Sequence, residues 1–210
     1  MSHKKPIKTE DDFLFEYYKQ RKGVANVYPK VSSIPKGNRI TPDIDLLEIQ
    51  RYKQPPMIIG HELKLLRKTD PYGPFYAGLG QALYYFMHGV EQAYLVLGCF
   101  SMRSEEMDVI LRNIKVLIVS LEIEGLLALH GKGFLDYMKV IIFKGNMSSS
   151  ETLLAIDENR FPINSYGDAK HRRECLLRGE FEWGKRWLRN QEKKTAEALK
   201  RESTQSSESA

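Results

Sequence analysis

Apolar residues at Phe13, Leu14, Tyr17 and Tyr18 recur at helical spacing behind the acidic run Glu10-Asp11-Asp12, so the pattern predicts an amphipathic helix over residues 10–22, closed by Gly23. VANVYPKVSSIP and NRITPDIDLLEI read as strands separated by the turn residues Pro35, Gly37 and Asn38. Pro55 and Pro56 end that section, and MIIGHELKLL follows as a buried strand. The loop RKTDPYGP leads into a helix across FYAGLGQALYYFMHG, and EQAYLVLGCF is a continuous apolar strand suited to a sheet interior. Met107, Ile110, Leu111, Ile114, Leu117, Ile118 and Leu121 line one face of a helix over residues 103–121, which should pack on that sheet. EGLLALHG predicts a short strand and DYMKVIIFKG a longer one.

After Met147 the pattern changes. Polar and basic residues surround isolated apolar positions (Leu176, Phe181, Trp183, Trp187), which predicts a mainly helical C-terminal extension over residues 146–202. The small polar stretch STQSSESA, residues 203–210, is expected to be disordered. Residues 1–145 then form the core. The alternation of elements predicts an α/β fold, a mixed central sheet flanked by helices, with a C-terminal helical extension. The strand order stays open.

Composition narrows the class only a little. Hydrophobic residues make up 42% of the 210 positions, as in ordinary globular proteins rather than disordered ones. A formal net charge of +5 is compatible with a polyanionic partner. Cys99 and Cys175 lie far apart with no clustered Cys or His, so neither a disulfide framework nor a structural zinc site is indicated. The polar start MSHKKPIKTEDD lacks a signal-peptide pattern, and no apolar run nears the roughly 20 residues that span a bilayer. A soluble cytoplasmic protein with no membrane partner is the expectation.

The carboxylates inside the strands change the picture more. Residues two apart on a strand share a face, so Asp43 and Asp45 point together, and so do Glu62 and Lys64. If the two strands are neighbours, three carboxylates and one ammonium meet at one end of the sheet. Crowded carboxylates repel, and a hard divalent cation such as Mg²⁺ or Mn²⁺ resolves the conflict. The backbone carbonyl of Leu63 is a further candidate ligand. Lys64 would then orient or activate a metal-bound water or hold a scissile phosphate, which makes the set suited to phosphodiester hydrolysis. The bland alternative is a turn at Pro42-Asp43 and an exposed Glu-x-Lys pair.

Pro42-Asp43 followed by Glu62-Leu63-Lys64 resembles the signature of the PD-(D/E)XK nuclease superfamily, which includes restriction endonucleases, Holliday junction resolvases and RecB-type nucleases. The resemblance covers about residues 10–130 and implies a restriction-endonuclease-like core. It implies a Mg²⁺- or Mn²⁺-dependent endo- or exodeoxyribonuclease acting on DNA, including branched or recombination and repair structures. Asp43 and Glu62 would be metal ligands, with Asp45 a second choice for the first ligand, and Lys64 would be catalytic. Gln81 and Tyr85 resemble the Gln-x-x-x-Tyr pattern of RecB-type members, with helix packing as the other reading. Glu16 is placed like the acidic residue that many members add from the first helix.

Arg67 and Lys68, just past the signature, are candidate phosphate contacts. The C-terminal group Lys170, His171, Arg172, Arg173, Arg178, Lys185, Arg186 and Arg189 is balanced between phosphate contact and a solvated helix face. His61 points opposite Glu62 and is not expected to be a ligand. A homodimer is the expected assembly, with aromatic residues near the C-terminus as the contact. The rival functions are a catalytically silent DNA-binding module on the same fold and a structural interaction protein whose strand carboxylates only form salt bridges.

Overall fold

The computed structural model describes residues 7–123, 128–129, 132–156, 159–163 and 168–208. The first helix, α1 (Glu10–Arg21), starts where the sequence supplies a reciprocal cap. Thr9 Oγ1 accepts from the Asp12 N–H at 3.1 Å while Asp12 Oδ2 accepts from the Thr9 N–H at 3.2 Å. The acidic first turn also suits the positive end of the helix dipole.

Three antiparallel strands follow, β1 (Asn26–Ser33), β2 (Arg39–Gln50) and β3 (Met57–Leu65). Helix α2 (Tyr72–Tyr84) and a 3₁₀ turn, Tyr85–His88, carry the chain to β4 (Gln92–Cys99), parallel to β3. Helix α3 (Ser104–Ile123) leads through the two-residue strands β5 (Ala128–Leu129) and β6 (Lys132–Gly133) to β7 (Met138–Lys144), parallel to β4. The expected strand at EGLLALHG is thus described only at Ala128–Leu129, and residues 124–127, 130 and 131 lie outside the described residues.

The main sheet has six strands in the order β1-β2-β3-β4-β7-β8, so the molecule is an α/β fold with a mixed sheet. Strand β8 (Ser150–Leu154) pairs antiparallel with β7, so the extension expected to be mainly helical also adds a strand to the sheet. Helices cover both faces. Phe13, Leu14 and Tyr17 of α1 pack with Leu46, Leu63 and Val96 on one face, and α2 and α3 bury Phe75, Ile110 and Ile114 against Leu95, Leu97 and Val140 on the other. Helix α4 (Ala169–Arg178) adds Cys175 and Leu176 to the core over β1 and β2.

Residues 180–184 then run along β1, with Ser32 N donating to Glu182 O at 3.1 Å and Gly184 N donating to Pro29 O at 2.8 Å. Helix α5 (Lys185–Glu208) continues through residues 203–208, a stretch expected to be disordered. Trp187 packs on Phe15 and Trp183 on Tyr28, so the two tryptophans offered as a dimer contact serve the fold of this chain instead. Among the described residues no helix is long and apolar enough to cross a membrane.

Candidate active site

The strand register decides which carboxylates meet. Strands β2 and β3 pair from Gln50↔Met57 to Leu46↔His61, which leaves Asp45 and Glu62 each next to the other's strand at the end of the ladder. The contacts agree, because Asp45 Oδ2 accepts from the Leu63 N–H at 3.0 Å. In a strand the N–H and C=O of one residue point to the same edge, so the Leu63 carbonyl also lies on the edge that faces β2. Strand β1 contributes Lys30, whose Nζ lies 3.7 Å from Asp45 Oδ1 and 3.2 Å from Asp11 Oδ1 at the start of α1. Lys64 Nζ sits 2.6 Å from Glu62 Oε1.

Two glycines let helix α2 and its 3₁₀ extension close over this face. A Cβ on Gly78 would come within 2.8 Å of Lys64 Cγ, and one on Gly60 within 2.6 Å of the Tyr85 ring. Tyr85 is fully buried. Its hydroxyl donates to Glu62 Oε2, has the Asp43 carbonyl 3.2 Å away as another acceptor, and accepts from the Asp45 N–H at 3.3 Å. Tyr85 therefore packs the helix and also fixes the Glu62 carboxylate.

Electrostatically, the two carboxylates oppose each other even with a lysine beside each. Burial and the neighbouring Asp45 push the Glu62 carboxyl up to about 7, although Lys64 and Tyr85 pull the other way. Burial also raises Asp45, against the opposing pull of Lys30, the Leu63 N–H and Lys64. For Lys64, burial works against the charge, but Glu62 outweighs it and the ammonium is raised. Two desolvated carboxylates that resist sharing negative charge form a place where a cation is stabilising.

The donor chemistry fits Mg²⁺ or Mn²⁺, which are held through one or two carboxylates, other oxygens and water. Asp45, Glu62 and the Leu63 carbonyl would hold it. Among the described residues, no group of three or more His, Cys, Asp or Glu side chains is gathered for a metal, so the main-chain oxygen and water would complete the shell.

The structure redistributes several of the roles expected from sequence. Asp45, rather than Asp43, is the carboxylate coupled to Glu62, and Asp43 enters the site through its carbonyl. Glu16 is a correction of the same kind. It pairs with Lys19 at 2.6 Å and borders Gln191 and Lys194 of α5, away from the site. Glu10, one turn and a half earlier, is the helix residue whose charge bears on Asp45, Lys30 and Lys64. Gln81 lies one turn from Gly78 with a buried Oε1 that has no hydrogen-bond partner.

The basic residues divide as well. Lys68 pairs with Glu106 at 2.7 Å, and Arg67 forms a turn with Asp70 beyond the end of β3. Within the C-terminal group, Arg173 binds Glu91 at 3.3 Å and the Pro56 carbonyl at 3.0 Å, Arg172 meets His88 at 2.6 Å, and Arg178 pairs with Glu180 at 2.8 Å. Arg172 and Arg173 tie α4 to the 3₁₀ turn and to the segments leading into β3 and β4, while the Arg178 pair is local to the end of the helix. His61 faces away from Glu62, as the alternation predicts, into a buried cluster with Tyr17 and Glu48.

Two participants were missed, Lys30 and the Glu48 cluster. The alternating pattern of β1 gave no sign that Lys30 turns toward the carboxylates. For Glu48, an acidic residue inside the run Leu46-Leu47-Glu48-Ile49 was a readable signal of a buried charge. No protein-family model, curated protein or solved structure matches this chain.

Proposed function

We propose that this chain is a metal-dependent DNA nuclease that hydrolyses phosphodiester bonds at the β2–β3 site. The single observation that carries the reading is the meeting of Asp45 and the buried Glu62 at one end of β2 and β3 beside Lys64, with Glu62 raised by burial and by Asp45. The signature resemblance, Glu62-Leu63-Lys64 after an acidic β2, supports the same reading. When bound, Mg²⁺ or Mn²⁺ would supply positive charge for the phosphate oxygens and acidify a coordinated water.

The chain's own residues do the rest. Tyr85 fixes one oxygen of Glu62, and the Leu63 N–H fixes one oxygen of Asp45, so both carboxylates are oriented before any ligand arrives. Lys64, at the partly open side, directs an ammonium to the attacking water or the scissile phosphate. Glu62, with a smaller contribution from Glu10 at the start of α1, raises Lys64, while Asp45 and Asp11 lead at Lys30.

One observation favours a second reading, that of a protein whose carboxylates only form salt bridges. Each carboxylate already has a lysine, Glu62 at 2.6 Å and Asp45 at 3.7 Å. Against it, a buried ion pair is a poor stabiliser compared with apolar residues of similar volume, so stability alone does not explain Glu62 and Lys64 here.

Incubation with Mg²⁺ or Mn²⁺ and a panel of linear, flapped, single-stranded and four-way DNA tests the proposal. Cleavage that disappears in Asp45→Ala, Glu62→Ala and Lys64→Ala is the expected result. DNA that is bound but uncut with every metal would point to a silent binding module. Absence of both DNA and metal binding would leave the salt-bridge reading.

A further inference from the structure

Lys30 has an unusual backbone conformation. Among the described residues it is the only non-glycine with a positive φ, 54°, a left-handed conformation that costs a lysine energy inside a strand. The strand is irregular there, with a register shift between Val31 and Ser33. Something must hold it. The flanking Pro29 carbonyl accepts from Gly184 N at 2.8 Å, and Ser32 N donates to Glu182 O at 3.1 Å. Gly184 also sits so close that a Cβ there would come within 2.9 Å of Lys30 Cβ.

The result of this conformation is an ammonium set between Asp11, at 3.2 Å, and Asp45, at 3.7 Å. Lys30 is therefore to Asp45 what Lys64 is to Glu62, one cation for each carboxylate. A divalent ion drawn to Asp45 would enter the space that this ammonium now neutralises.

Resting on the metal-site reading above, we infer that Lys30 is a second active-site lysine, a resident counter-cation that competes with the metal for Asp45 and is held there by residues 180–184. The C-terminal extension then acts on the site without touching it. The competition lowers metal affinity and keeps the carboxylates neutralised when no metal is bound.

Mn²⁺ titrated calorimetrically into the full chain tests this without any cleavage assay. Lys30→Met is expected to tighten Mn²⁺ binding about ten-fold, since it removes one positive charge a few ångströms from a ligand. Lys30→Arg keeps the charge and should keep wild-type affinity. Lys30→Gly removes the charge and also suits the positive φ, so it covers the case in which Met folds poorly there. Gly184→Ala, whose added methyl displaces Lys30, should tighten binding in the same direction but less. General damage to the fold would weaken binding, so the sign of the change separates the two causes. If the wild type binds Mn²⁺ and neither Lys30→Met nor Lys30→Gly binds it more tightly, the counter-cation role is wrong while the metal site stands. If Gly184→Ala leaves the affinity unchanged, residues 180–184 do not set Lys30. If neither wild type nor the Lys30 variants bind Mn²⁺, the metal reading itself fails and takes this inference with it.

Discussion

Glu48 and Glu62 sit on adjacent strands of one sheet, both almost completely buried, on opposite faces. Burial pushes both carboxyls up, yet they end far apart. At Glu48 the His61 Nε2, 3.2 Å away, the Arg21 guanidinium at 2.5 Å and the Gln50 amide at 2.7 Å overturn the cost of burial and hold it at about 2. Burial lowers the His61 imidazole, against the opposing pull of Glu48. At Glu62 the largest influence after burial is Asp45, which acts against the pull of Lys64 and Tyr85, and the group is pushed up to about 7. The difference lies in the partners. A buried acid whose partners are a guanidinium, an imidazole and an amide is held ionised, whereas one that shares its surroundings with a second carboxylate holds its proton more tightly.

The strongest break in that comparison comes at Glu48. Glu48→Gln leaves Arg21 and His61 without their anion and should cost about 3–5 kcal/mol in chemical unfolding. Glu62→Gln, measured the same way at pH 8, should lose nothing. If both variants lost equally, the distinction between the two acids would collapse. Next in size is catalysis, where Asp45→Ala, Glu62→Ala and Lys64→Ala should each slow DNA cleavage about 10²–10³-fold, or roughly 3–4 kcal/mol.

A pH series sharpens the contrast further. A carboxyl raised to about 7 in the fold and ordinary when unfolded binds more protons folded, so its contribution to stability falls as pH rises through that window. The stability of Glu62→Gln relative to wild type should therefore improve from about pH 4.5 to 7, by at most about 3 kcal/mol, and Mn²⁺ should shrink the gain. Glu48→Gln should show no such trend above pH 5. Smaller effects mark residues outside the pair. Asp43→Ala should reduce cleavage less than about ten-fold, and Glu16→Ala should change stability by no more than about 0.5 kcal/mol in thermal unfolding.

The sequence carried most of the framework because the strands and helices follow clean periodicities. Phe13, Leu14 and Tyr17 fall on the buried face of α1, and the long apolar run of β4 lies in the middle of the sheet. Strand β8 escaped notice because only short, half-exposed residues, Ser150–Leu154, form it, and it depends on β7 for its pairing. At the site, the Glu62-Leu63-Lys64 stretch was legible because alternation fixes which side chains share a face. The choice between Asp43 and Asp45 was not, because both point the same way and only the β2–β3 register separates them. Glu16 misled for a related reason. Its place on α1 was right in order along the chain but wrong around the helix, where Glu10 faces the lysines. Lys30 was invisible because a positive φ on a lysine has no composition signal and arises from contacts more than 150 residues away.

Residues 180–184 have a consequence for the molecule in concentrated solution. An open sheet exposes unpaired backbone groups at its outer strands, and such edges recruit strands from other molecules into aggregates. On β1 that edge is occupied, since the Ser32 and Lys36 N–H groups and the Ser33 and Pro29 carbonyls are all bonded to residues 180–184. The opposite edge, β8, is only five residues long and carries Glu151 pinned between Lys115 and Lys144. A chain cut before residue 180 would therefore present β1 as a bare template, and its first symptom would be self-association rather than unfolding.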